Sequence, residues 1–424
     1  MTPMVDLVDV VVVGAGQAGL VASYLLSLDH VPHLVLERGD IGQSWRSQRW
    51  DSFHLNTPNW ANGLTGMKLH PEEPHAFAAG NELVAFFEDY ASIFHLPIRP
   101  RSNVTSLRRT STGRYALRTQ SEEMQAKAVI LASGGMSRPR VPALARRLPD
   151  DIAVSSAGTY RNPDALPKGA VLVVGSGQSG CQITEDLLEA GREVYLSVSK
   201  VARVPRSYRG RDIVAWWKDM GFWDVKLQQL EDQTLQFAAL PQVSGTRGGH
   251  TVSLQSLARD GAVLVGRVLD ADRRVLKLAR SVHECIRFAD EKSRAFKAAI
   301  DAHIDREGIK AEAPRPDPGE PPLPDLRGSD EITNLDLNRA SVSSVIWCTG
   351  FDADWSWVEV DVFDQGGQPR HSNGITESPG LYVLGMPWLS ARKSGILFGV
   401  SDDAARIVQH IRAHALSDLN HPGT

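Results

Sequence analysis

Two short stretches carry residues whose types and spacing suit nucleotide chemistry. The first runs Val10-Val11-Val12-Val13-Gly14-Ala15-Gly16-Gln17-Ala18-Gly19, and the second Val171-Leu172-Val173-Val174-Gly175-Ser176-Gly177-Gln178-Ser179-Gly180. In each, an apolar run long enough for one buried strand enters GxGxxG, and apolar residues with helical period follow: Leu20, Val21 and Leu25 in one, Ile183, Leu187 and Leu188 in the other. Strand, tight turn and helix are therefore expected twice. In such a turn the first glycine permits the bend, the second admits a pyrophosphate to the backbone, and the third lets helix and strand pack closely. The phosphates then rest on the positive end of the helix. Gly14, Gly16, Gln17, Ala18 and Gly19 form one expected cradle; Gly175, Gly177, Gln178, Ser179 and Gly180 form the other.

The two copies differ where the ribose would lie. After the first, His33-Leu34-Val35-Leu36 ends at Glu37, a carboxylate able to accept from both hydroxyls of an adenosine ribose, as in FAD or NAD. After the second, the strand from Val194 ends in Ser197 and Ser199 without an acid, and Lys200, Arg203, Arg206 and Arg209 follow. Hydroxyls and guanidinium groups would bind a 2'-phosphate that a carboxylate would repel, which favours NADPH over NADH. A basic surface loop is the alternative. Two unlike cradles predict two unlike dinucleotides, most simply FAD and NADPH.

The rest of the chain must position them. Lys127 to Gly135 reads as a further buried strand ending in small residues, including Ser133 and Gly134, and Ser344 to Phe351, with Thr349 and Gly350, as its twin. Prolines from Pro139 to Pro167 mark a linker over Ser137 to Lys168. An amphipathic helix is expected from Ile286 to Asp305, and the proline-rich stretch Pro314 to Gly328 is expected as a surface loop. Gly380 to Gly385 reads as a strand, and a last helix follows Ser394. The predicted fold is α/β: two Rossmann-like three-layer dinucleotide-binding domains, with the NADPH domain (151–340, with helical and loop insertions) inserted in a discontinuous FAD domain (1–150 and 341–424).

Composition removes other classes. Lys and Arg number 46 against 50 Asp and Glu, with neither sign gathered into a block, so no nucleic-acid partner is expected. No apolar run approaches the length of a membrane helix, and Asp6 and Asp9 stand where a secretory signal would carry basic residues. A cytoplasmic protein without a membrane partner is predicted. Cys181, Cys285 and Cys348 are too scattered for a dithiol or a metal site, and His54, His250 and His371 read as structural. Tyr208, Trp216, Trp217, Phe222, Trp223, Trp355 and Trp357 suit either the core or the walls of a substrate pocket, and Trp388 and Lys393 the border of a flavin pocket.

Taken with "SWRSQRWDSFHLNTP" (Ser44 to Pro58), "CTGF" at Cys348 and the C-terminal "LYVLGM" and "SGILFGV", the paired cradles resemble the flavin-dependent monooxygenases of the flavin-containing monooxygenase and Baeyer-Villiger group, more closely their bacterial single-component members. The resemblance spans nearly the whole chain. It implies that NADPH reduces bound FAD, that the reduced ring captures O2 as a C4a-(hydro)peroxide, and that one oxygen passes to a small organic substrate, aromatic or heteroatom-containing. It also implies a catalytic Asn56 at the reactive edge of the flavin, donating to a peroxide oxygen and accepting from nicotinamide; the bland alternative is a turn asparagine before Pro58. Trp45 and Arg46 would lie along the flavin, and Arg38, Thr57, Val104, Gly385 and Leu397 would be further cofactor contacts. The group's linker pattern, Phe-x-Gly-x-x-x-His-x-x-x-aromatic, aligns here with Asp150, Ile152, Ser156 and Tyr160, so only the aromatic is retained. Homodimers are common in that group. A reductase without oxygen insertion or a non-catalytic flavoprotein are the competing readings; a disulfide reductase would need a dithiol, and a mere FAD holder would have no use for a second cradle.

Overall fold

The computed structural model describes residues 6–320 and 332–415. Strand β1 (Asp6–Val13) leads into helix α1 (Gln17–Leu28), then β2 (His33–Leu36), the short helix α2 (Gln43–Ser47) and helix α3 (Gly80–Ile93). β3 (Glu123–Leu131) returns to lie parallel beside β1, pairing Val13 with Leu131. Val10, Val11 and Val12 have no exposed surface, as the β-branched run requires of a strand covered on both faces. Each contributes about 1.5 kcal/mol or more of burial.

The chain then crosses to a second sheet. β4 (Arg138–Pro139) lies in the crossing, and β5 (Ala153–Ser156), β6 (Ala170–Val174), helix α4 (Gln178–Glu189), β7 (Val194–Ser197), β8 (Val263–Val265), the long helix α5 (Val282–Glu307) and β9 (Val342–Trp347) follow. The order in this sheet is β5-β9-β6-β7-β8, every pair parallel. β10 (Phe351–Asp352) recrosses, pairing antiparallel with β4. β11 (Leu381–Val383) then rejoins the first sheet beside β3, and helix α6 (Val400–His410) packs on α1. The second fold is thus inserted between β3 and β11, as expected.

One boundary and the linker reading are corrected. The strand from Val342 belongs to the second sheet, so the first fold resumes after Asp352 rather than at 341. The supposed linker already contributes β5 to the second sheet, because Ala153 to Ser156 find backbone partners along β9. Buried residues of both sheets, Val12 and Val173 among them, belong to one contiguous apolar cluster. Of the proline-rich loop, residues 321–328 lie outside the described residues; the described part has no regular element but is anchored, since the Asp317 side chain is buried against Arg203. No helix among the described residues is long and apolar enough to cross a membrane.

Candidate functional site

The two glycine turns are built alike. Gly14 has φ +110° and Gly175 φ +107°, conformations that L side chains rarely adopt. A Cβ on Gly14 would meet the Ala132 carbonyl, and one on Gly175 the Cys348 carbonyl. On Gly19 or Gly180 it would overlap the carbonyl oxygen of Gly14 or Gly175, which is how closely each helix packs on its strand. At Gly16 and Gly177 nothing lies within 4 Å, leaving each helix N-terminus open to a ligand.

Above the first turn lies a cleft of about 830 Å³, within the size range of cofactor sites. Gly14, Gly16, Glu37, Arg38, Val104, Ser133 and Gly134 line it together. Glu37 is 6% exposed; its Oε2 accepts the Ala15 N–H at 2.7 Å and its Oε1 the Gly39 N–H at 2.9 Å. A carboxylate oxygen accepts more than one hydrogen bond, so capacity for ribose hydroxyls remains. Ser133 Oγ, buried at this cleft, has no protein partner, and neither has Gln17 Oε1. Such orphaned groups are uncommon unless a ligand satisfies them, and with the open Gly16 they fit a dinucleotide. Gln17 Nε2 also donates to the Gly395 carbonyl at 2.7 Å, and a Cβ on Gly385 would meet Ala18 at 2.7 Å. The C-terminal turn therefore closes over the start of α1, with Leu397 in the core.

Other expected contacts lie elsewhere. In α2 the positions at Gln43, Ser44 and Ser47 share the face toward the cleft, and helical geometry turns Trp45 and Arg46 away. Arg46 instead donates to Ile41 O and pairs with Glu88, while Trp45 packs beneath Arg49. Thr57 Oγ is taken by Asn62 at 2.6 Å, and Thr349 donates to the Arg140 carbonyl next to Gly350, inside the crossing. Sequence reasoning missed Asp354 and Ser356, which line the cleft with Trp357; their position just after "CTGF" was the available signal. Trp216, Trp217 and Trp223 are at most 4% exposed and pack as core.

At the second cradle the expected phosphate readers are spoken for. Arg203 has no exposed surface and is held by Asp290 at 2.8 Å and Asp317 at 2.9 Å. Arg206, also buried, pairs with Asp212 at 2.5 Å and donates to the carbonyls of Asn56 and Ser244. Freeing Arg203 would strand the buried Asp317 carboxylate, and freeing Arg206, itself buried, would give up its pair with Asp212 and its bonds to two backbone carbonyls, so both are committed within the protein. Ser197 turns its hydroxyl into the sheet edge, donating to Gly266 O, and Ser199 stands beside Ser176. Arg209 is engaged by Asp301. Lys200 differs: it pairs with Glu284 at 2.6 Å, but both side chains are 53% exposed.

The folds meet at α4. Asn56 reaches its glutamines, Nδ2 donating to Gln178 Oε1 at 2.7 Å while Oδ1 accepts from Gln182 Nε2 at 2.6 Å. One turn on, Asp186 accepts from Ser52 at 2.6 Å and from the Tyr160 hydroxyl at 2.5 Å; burial, reinforced by that carboxylate, pushes the phenol pKa up. In the same linker turn the Thr159 hydroxyl accepts the Ser156 N–H at 2.9 Å. His250 Nε2 lies 2.6 Å from Glu185, which raises the imidazole pKa against its partial burial. A raised folded pKa means the pair stabilises fully below the unfolded value of about 6.5 and fades as pH rises through the folded value. The melting-temperature deficit of His250→Gln is accordingly expected to be largest in mild acid and to shrink as the buffer turns alkaline; a pH-independent deficit would sink this assignment.

The family described as pyridine nucleotide-disulphide oxidoreductase matches residues 11–220. An "Uncharacterized oxidoreductase CzcO-like" of Geobacillus kaustophilus is 31% identical over 97% of this chain and 100% of its own length. Among solved structures, a flavin-containing monooxygenase from Stenotrophomonas maltophilia shares the fold at TM-score 0.66 and 18% identity, covering 96% of this chain and 99% of that one. A structure titled as the OTEMO complex with FAD and NADP shares it at TM-score 0.54 and 16% identity, over 96% of this chain and 86% of that one.

Proposed function

The chain belongs to the pyridine nucleotide-disulphide oxidoreductase family, as a relative of the CzcO-like oxidoreductases, and from that premise we propose that it is an FAD- and NADPH-dependent monooxygenase acting on a small organic substrate. The observation that carries this reading is the repeated turn: closed at Gly14 and Gly19, open at Gly16, and the same at Gly175, Gly180 and Gly177. A protein with two such cradles joined through one asparagine is built to bring two dinucleotides together. The names of its structural neighbours, a flavin-containing monooxygenase and a complex with FAD and NADP, agree with the reading.

When bound, FAD would supply hydride acceptance and the activation of O2. The protein's own residues bind and orient. Glu37 would hold the adenosine ribose, the Gly16 and Gly177 turns would hold the pyrophosphates, and Asn56, held by α4, would orient the reacting groups where the two folds meet. Chemistry through a thiolate is disfavoured, because burial pushes Cys181 well up and Cys348 up to about 12. The test is spectroscopic: purified protein is expected to be yellow, to bleach on NADPH without oxygen, and with oxygen to regain its colour while substrate gains one oxygen atom. Reoxidation that never yields oxygenated product from any amine, sulfide, ketone or aromatic tried would mean an oxidase or reductase.

For the second dinucleotide, Lys200 is the base we assign to the 2'-phosphate. The Lys200–Glu284 pair is exposed and screened by solvent, so Lys200 leaves it readily, whereas Arg203 is held by the buried Asp317. Lys200→Ala is expected to raise KM for NADPH by about tenfold with little change for NADH, the scale of one charge-assisted hydrogen bond. Equal changes for both nucleotides would place the phosphate elsewhere.

A further inference from the structure

We propose that Gln178 and Gln182 of α4 are positioning residues that fix which way the Asn56 amide faces, so that a dinucleotide seated on the second cradle acts on Asn56 through this helix. The inference rests on the function proposed above. It starts from two carbonyls that can only accept. Gln178 Nε2 donates to Pro241 O at 2.9 Å, and Gln182 Nε2 lies 3.3 Å from Val243 O. Those backbone oxygens dictate which end of each glutamine is nitrogen, because a reversed amide would set oxygen against oxygen. Gln178 must then present Oε1 to Asn56, and Gln182 must present Nε2. Asn56 is left one orientation, Nδ2 toward Gln178 and Oδ1 toward Gln182; turned over, it would face like with like on both sides.

The spacing is that of one helix face, four residues apart. Gln182 is 3% exposed, a position where an apolar side chain would pack at no polar cost, so an amide there is retained for its bonds. The Asn56 carbonyl is fixed as well, by Arg206 Nη1 at 2.7 Å, and Gly245 leaves no room for a Cβ beside the Leu55 carbonyl. The asparagine is therefore gripped from three directions by the second fold while its chain belongs to the first. Gln178 is also the first residue of α4, directly after the open Gly177, where helix N–H groups await a phosphate. Occupation of that cradle bears on Gln178 directly, and Asn56 is its next neighbour. Each Asn56 amide atom keeps one further hydrogen-bonding valence, and the glutamines decide which valence meets the reacting centre.

The test compares Asn56→Ala, Gln182→Leu and the near-isosteric Gln182→Glu, which keeps the shape but cannot donate to Asn56 when ionised. The two Gln182 variants are expected to bind FAD and NADP+ within about twofold of the parent protein, since neither substitution touches a phosphate contact. They are expected to lose the change that NADP+ produces in the flavin absorbance spectrum, a readout without turnover, and to release hydrogen peroxide about tenfold faster per NADPH consumed. The double variant Asn56→Ala/Gln182→Leu should be no worse than either single one. In urea, without ligands, the same double-mutant cycle should show coupling of about tenfold in the unfolding constant. Parent-like spectra and peroxide yield in both Gln182 variants, or effects that multiply with those of Asn56→Ala, would overturn the proposal. A parent protein that takes up no FAD would overturn the functional reading instead, while the urea cycle would still decide whether Gln182 and Asn56 act as a pair. Should Gln182→Leu fail to fold, Gln182→Glu carries every comparison.

Discussion

Gly16→Val is expected to give a folded but colourless protein, and Gly19→Val to give no folded protein at all. Sequence alone treats the glycines of GAGQAG as one motif, yet their surroundings differ. A Cβ at Gly16 would meet no protein atom within 4 Å, so the fold has room for a side chain there and it is the approach of a pyrophosphate that is blocked. Bound flavin should fall by more than about tenfold while the circular-dichroism melt stays near that of the parent. At Gly19 a Cβ would overlap the Gly14 carbonyl oxygen, forcing α1 off β1 and opening a core in which Leu20, Val21 and Ala22 have no exposed surface. The same contrast should hold for NADP+ binding between Gly177→Val and Gly180→Val. A Gly16→Val protein that purifies yellow at full stoichiometry would remove the flavin from this turn.

Arg203→Met should destabilise the protein by about 3–5 kcal/mol, the cost of stranding a buried carboxylate, and leave the preference between NADPH and NADH unchanged. The guanidinium joins Asp290 on α5 to Asp317 in the proline-rich segment, and Asp317 is 3% exposed in its side chain. Adding Asp317→Asn to Arg203→Met should recover part of the loss, because the pair is then removed together rather than broken. Urea unfolding measures both. A selective loss of NADPH use at undiminished stability would restore Arg203 as a phosphate reader.

These two cases mark how far the residues speak for themselves. The glycine turns and the strand at His33 to Leu36 were legible because their causes are local: one needs positive φ and close approach, the other a short apolar run ending at Glu37. The Ser344 strand was legible as a strand but not as to its sheet, since a buried parallel run looks alike in either. Arginine fates were not legible. Arg203, Arg206 and Lys200 have similar chemistry in a row, and only tertiary placement of Asp290, Asp317 and Asp212 separates two structural cations from one exposed one. The asparagine was found by resemblance, but its glutamine neighbours lie more than a hundred residues away, beyond any local pattern.

The pairing of Arg138–Pro139 with Phe351–Asp352 has a consequence for ancestry. The point where the chain departs into the second fold and the point where it comes back are hydrogen-bonded neighbours, so the intervening stretch is a cassette with its two ends side by side. A host loop can accept such a cassette without parting its own core. Copying one nucleotide-binding unit and inserting the copy at this point would leave the original sheet whole.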